Sequence, residues 1–191
     1  MAAKKLKPFD VFGVFTGIKW YSTALTNKGR NCYLPVMLLP FHMFWLRGLF
    51  SGDLNRTNCG PYTLMLDTWR SMGTELSQIS LVSKQSSSGS NIVVANFSLR
   101  QESPLGINLG QTVGEPMDAA ILSVLTNKPI MVNPDVAAQM ACPVPENIEN
   151  NEDLLEFIQR QLVDFEKNHD FFTSLMKSLP MDNDNDGEDN S

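Results

Sequence analysis

The sequence predicts an α/β fold of the α+β kind. It should be a single compact domain with a mixed sheet built from hairpins and three to four helices, plus an acidic helical appendage at the C-terminal end. Three observations predict it. Two stretches rich in β-branched and aromatic residues fold back on turn chemistry: residues 20–38 around Asn27-Lys28-Gly29, and residues 76–99 around Ser86-Ser87-Ser88-Gly89. Four segments carry a proline where a helix would begin, at Pro40, Pro61, Pro116 and Pro134. The charge is also divided. Residues 144–191 hold 13 acids and 3 bases, while residues 1–143 hold 12 bases and 8 acids.

The 191 residues are 42% hydrophobic, enough to bury a core without staples, so neither a disulfide-framed miniprotein nor a chain disordered throughout is expected. Cys32, Cys59 and Cys142 cannot all pair with one another, and unpaired thiols fit a reducing compartment. No signal-peptide pattern follows Met1, so a cytoplasmic location is expected and Asn55-Arg56-Thr57 and Asn96-Phe97-Ser98 are read as chance glycosylation matches. The longest apolar run, Tyr33–Leu46, contains Pro35, Pro40 and His42. It falls short of the roughly 18 to 20 apolar residues a spanning helix needs, so no membrane partner is expected.

The elements follow in order. Residues 1–8 read as a basic arm and residues 9–142 as the domain. Residues 9–18 form a first strand, and 20–26 and 31–38 form a hairpin. Pro40 opens a helix to about Phe50. A second helix from Gly60-Pro61 places Tyr62, Met65, Leu66, Trp69 and Met72 on one apolar stripe and ends at Gly73. Segments 76–84 and 91–99 make a second hairpin, and 106–113 a weaker strand. A third helix, 117–126, is apolar nearly all round and so should be buried. A short strand, 129–132, precedes a helix capped by Asn133 with Pro134 at its first position. Pro143 and Pro145 mark the boundary of the appendage, residues 143–180. There Leu155, Ile158, Leu162 and Phe165 form a stripe that should dock on the body or on a partner subunit, centred on Ile158 and Leu162. Phe171, Phe172, Leu175, Met176 and Leu179 suggest a further amphipathic turn or two, and residues 181–191 an acidic disordered tail.

This order, together with several local matches, resembles the bifunctional nuclease (DNase/RNase) domain family. Asp10-Val-Phe-Gly-Val-Phe15 looks like its opening strand, and Asn31-Cys-Tyr-Leu-Pro-Val-Met-Leu38 like its arginine-leucine-proline-isoleucine strand. Gly60–Gly73 is similar to its first long amphipathic helix. Glu115–Val136 is similar to its arginine-proline-serine-aspartate helix and the strand after it. The resemblance covers about residues 9–141. It implies a compact α/β domain that associates into dimers or larger homo-oligomers and hydrolyses phosphodiester bonds of DNA and RNA. The charged positions differ. Phe41-His42-Met43 stands where the family usually has a glutamate, Tyr62-Thr63 where it has histidine-aspartate, and Glu115-Pro116-Met117-Asp118 keeps only the aspartate. The alternative is therefore a catalytically inactive oligomeric binding module that retains the fold.

A metal-dependent nuclease needs carboxylates around a hard cation, which polarises phosphate and activates water. Asp118 and Glu115, three apart at a helix start, are the candidate catalytic residues and the candidate ligands for Mg2+ or another divalent cation. Acids in a first turn also serve simply as caps. His42 is a candidate general base or metal ligand, or else a packed, hydrogen-bonded core or interface histidine. Lys19, Trp20 and Arg30 are candidate nucleic-acid contacts by phosphate attraction and base stacking, or else packed hairpin residues. Two histidines and no Cys-x-x-Cys pair disfavour zinc, and no phosphate-cradling Gly-rich loop precedes a Lys-Ser or Lys-Thr pair. Phe44, Trp45 and Phe50, with Met43 and Leu46, exceed one buried helix face, which suggests a neighbouring subunit in a homodimer or larger assembly.

Overall fold

The computed structural model describes residues 5–54, 60–103, 106–148 and 150–167. The elements are β1 (Lys7–Thr16), β2 (Tyr21–Asn27), β3 (Cys32–Leu38), α1 (Pro40–Ser51), α2 (Gly60–Ser71), β4 (Thr74–Gln85), β5 (Asn91–Ser103), β6 (Gly106–Gly114), α3 (Pro116–Thr126), β7 (Ile130–Val132), α4 (Pro134–Met140), β8 (Cys142–Pro143) and α5 (Asn151–Lys167). The stripe from Phe171 to Leu179, the tail 181–191 and Cys59 lie outside the described residues.

One eight-stranded sheet runs in the order β6-β5-β4-β7-β1-β2-β3-β8. Every neighbouring pair is antiparallel except β4 and β7. The α+β expectation therefore holds, with a mixed sheet that contains the two expected hairpins, β2–β3 and β4–β5, and two more, β1–β2 and β5–β6. The single parallel pair arises because α3 lies between β6 and β7 and returns the chain to the middle of the sheet.

Helices α1 to α4 cover one face over the larger core. That core contains Phe9, Leu25, Leu34, Leu46, Ile79, Leu81, Phe97, Ile121, Leu122 and Ile130. Helix α3 is its centre: Ala119, Ala120, Ile121, Leu122 and Leu125 are buried, as an all-round apolar helix requires. Its Ser123 hydroxyl donates to the Lys128 carbonyl at 2.6 Å, so a polar side chain in that core is paired.

A second, smaller core lies on the opposite face, under α5. Phe15, Ala24 and Tyr33 meet Leu154, Ile158 and Leu162 there. A β-bulge makes this possible. The register of β1 against β2 shifts between Val11 and Gly13, and the Thr23 hydroxyl donates to the Gly13 carbonyl. The extra residue changes the alternation, so Phe9, Val11 and Val14 face the helical layer while Phe12 and Phe15 face α5.

Ile158 and Leu162 thus lie at the centre of the α5 contact, as their position in the sequence predicts. The stripe is rotated by one residue at its start. Leu154 is buried, whereas Leu155 is 39% exposed. Helical positions 154, 158 and 162 are four apart and stack on one line, so the side chain at 155 sits on its edge. On α2, Met72 is also exposed, beyond the end of the helix. Met65, Leu66 and Trp69 pack as expected.

Candidate functional site

Three helices bring one residue each to a single polar cluster. Pro116 occupies the first turn of α3, where its missing N–H has no intrahelical partner, and Asp118 follows at the third helical position. The Tyr62 hydroxyl, from the start of α2, donates to Asp118 Oδ1 at 2.7 Å. His42 Nε2, from the first turn of α1, lies 3.3 Å from the same oxygen. The other oxygen, Oδ2, accepts the backbone N–H of Glu115 at 3.1 Å. That last bond is half of a capping box, in which a side chain in the first turn satisfies the N–H of the cap residue.

Gly114 makes room for the arrangement. A Cβ there would lie 2.8 Å from the Phe97 ring and 3.3 Å from Asp118 Oδ2. Burial pushes the Asp118 carboxyl up, but the hydrogen bonds from His42, Tyr62 and the Glu115 N–H, with the attraction of His42, outweigh it. The net result holds Asp118 below its ordinary value. An ionised carboxylate only accepts, so His42 Nε2 carries the shared hydrogen. His42 Nδ1 is buried with no hydrogen-bond partner. The His42 ring packs edge-on to Phe41 and Tyr62, with centroids 5.6 and 6.3 Å away.

The fold therefore brings Asp118 and His42 together and adds Tyr62, which the sequence places on an apolar stripe and at a position where the resembled family has a charged pair. Glu115 enters the cluster through its backbone N–H, and its side chain stands at the exposed start of α3. Among the described residues, no group of three or more His, Cys, Asp or Glu side chains is placed to hold a metal ion. No described helix is long and apolar enough to cross a membrane.

Lys19, Trp20 and Arg30 lie on the other side of the sheet, and α5 reaches all three. The Glu166 carboxylate accepts the backbone N–H groups of Ile18, Lys19 and Trp20, the latter two at 3.1 Å each. Arg30 donates to Asn151 at the first residue of α5 and lies 5.8 Å above the centroid of the Phe12 ring. The basic hairpin face is thus shared with the acidic helix, an arrangement that leaves no residue pattern in the hairpin itself. Glu166, buried and inward-facing, is the residue that sequence reasoning missed. The only available signal was its place one helical repeat after Leu162.

A cleft of about 780 Å3 lies along α2, with Thr63, Trp69, Arg70, Glu75 and Lys128 in its wall. Arg70 there is already paired with Asp67 at 2.9 Å.

Several of the exposed apolar residues lie on or beside α1. Phe41, Phe44 and Phe50 are 47%, 59% and 46% exposed, and Leu39 before them is 56% exposed. Compared with known proteins, the chain matches no family model and no curated sequence.

Proposed function

We propose that the protein is a non-catalytic oligomeric binding module, and that the Asp118 cluster ties α1, α2 and α3 together instead of performing chemistry. The observation that carries this reading is the occupancy of Asp118. Its two oxygens already accept from Tyr62 and the Glu115 N–H and face His42 Nε2. A carboxylate offers about four lone-pair positions. With three engaged, only one remains, so holding a cation through Asp118 would compete with the bonds that join the three helices.

The binding surface in this reading is the exposed side of α1, where Phe41 and Phe44 lie one turn apart and Phe50 stands on the opposite flank, and its partner is a second copy of the chain. Phe41 and Phe44, each about half exposed, present on the order of 200 Å2 of adjoining apolar surface, taking 150–250 Å2 for each aromatic side chain. Helix α1 carries Arg47 as its one charged residue, so two copies would meet with little like-charge repulsion.

The test is DNA and RNA cleavage with Mg2+ and with Mn2+, on the wild type and on Asp118→Ala. No metal-dependent cleavage by the wild type is the expected result. Cleavage that Asp118→Ala abolishes while remaining folded would establish the nuclease reading instead.

A further inference from the structure

The turn between β1 and β2 is built around an anion. Three consecutive backbone N–H groups, from Ile18, Lys19 and Trp20, converge on the Glu166 carboxylate. Successive N–H groups pointing into one concavity form a nest, which binds anions irrespective of side chains. Gly17 completes it, because a Cβ at that position would fall on the carboxylate itself.

The position of Glu166 argues against a chance contact. It is buried, and it sits in the last turn of α5, where the helix dipole disfavours an acid. The segment that carries the nest is basic, whereas the helix docked on it is acidic. Residues 11–52 contain Lys19, Lys28, Arg30 and Arg47 and no acid at all. Arg47 reaches the edge of the turn, donating to the Thr16 hydroxyl at 2.7 Å. The negative charge in the nest is supplied from 146 residues away in sequence.

We propose that the nest at residues 17–20 is a phosphate-binding site, held in the resting chain by Glu166 as an intramolecular stand-in for the phosphate oxyanion. The inference does not rest on the module reading. A tethered carboxylate acts at an effective concentration on the order of millimolar, so an external anion competes poorly while α5 is docked. Phosphate, free or in a nucleic-acid backbone, enters when Glu166 leaves. Trp20, 36% exposed beside the nest, then offers a ring for stacking if the phosphate belongs to a nucleotide strand.

The experiment compares the full-length wild type, Glu166→Ala, and Gly17→Ala combined with Glu166→Ala. Backbone amide shifts of Ile18, Lys19 and Trp20 are followed while inorganic phosphate, or a short single-stranded oligonucleotide, is titrated in. Glu166→Ala should bind phosphate on the order of tenfold more tightly than the wild type. The double variant has the same charge but a methyl group in the nest, so it should lose that gain. Tighter binding of the oligonucleotide than of phosphate by Glu166→Ala would assign the site to nucleic acid, and equal binding would assign it to free phosphate. Equal binding by Glu166→Ala and the double variant would overturn the proposal, because the basic surface alone would then account for it. Absence of any amide response in Glu166→Ala would overturn it as well. Should Glu166→Ala unseat α5, the nest is open in that variant too, and the comparison with the double variant still decides.

Discussion

Replacing Ile158 with Asp should unseat α5 and leave the larger core folded. Ile158 is fully buried between Leu154 and Leu162, against Phe15, Ala24 and Tyr33. Truncating such a side chain to Ala costs about 2–5 kcal/mol, and an aspartate adds the desolvation of an unpaired charge. The two remaining leucines contribute roughly 3–6 kcal/mol before ordering costs. The loss is therefore of the same size as what is left, and the docked state should no longer dominate. The larger core shares none of its buried residues with the smaller one, so its melting transition should persist. The assay is limited trypsin digestion, with Arg160 and Lys167 as cleavage sites on α5. A 2 kcal/mol loss raises the open fraction about 30-fold, so cleavage there should accelerate by at least that factor. Leu155→Asp, at a 39% exposed position, should change it far less. Unchanged digestion of Ile158→Asp would show that the small core does not hold the helix.

The Asp118 carboxyl is held below its ordinary value of 3.8 in the folded chain. A depressed folded value contributes stability that is present above the unfolded value and is lost as pH falls through the folded one. Asp118→Asn should therefore be less stable than the wild type by roughly 1.5–3 kcal/mol near neutral pH. Urea titrations at decreasing pH should show that difference shrinking below 3.8. If the difference stays constant with pH, ionisation of Asp118 does not stabilise the fold. Separately, Phe44→Glu places a charge on the exposed side of α1 and should convert a dimer into a monomer by light scattering at micromolar concentration. A wild type that is already monomeric there would remove α1 as a seam.

Much of the fold was legible because several elements carry their own boundary chemistry. Pro40, Pro116 and Pro134 each stand at a helix start, and Asn133 accepts the Asp135 N–H as a cap. Gly73 ends α2 with a left-handed φ of 68°, as the sequence suggests. The nearly all-apolar pattern of α3 implies burial on most sides, and its central residues from Ala119 to Ser123, with Leu125, are buried. What stayed hidden depends on tertiary placement. β8 has two residues and exists only because Cys142 and Pro143 pass alongside β3. Tyr62 reads as apolar from its spacing, yet its hydroxyl reaches an acid 56 residues away. The phase of α5 depends on which line of side chains meets the bulged strand, and Leu154 and Leu155 are indistinguishable by type. Glu166 binds backbone N–H groups, which every sequence possesses.

The claim that Asp118 is a structural tie is tested most directly by a double-mutant cycle with Tyr62→Phe and Asp118→Asn, read by urea denaturation. The 2.7 Å bond between the hydroxyl and the carboxylate oxygen predicts a coupling of about 1–3 kcal/mol between the two changes. Additive effects within about 0.5 kcal/mol would contradict it, since side chains joined in a stabilising network do not act independently.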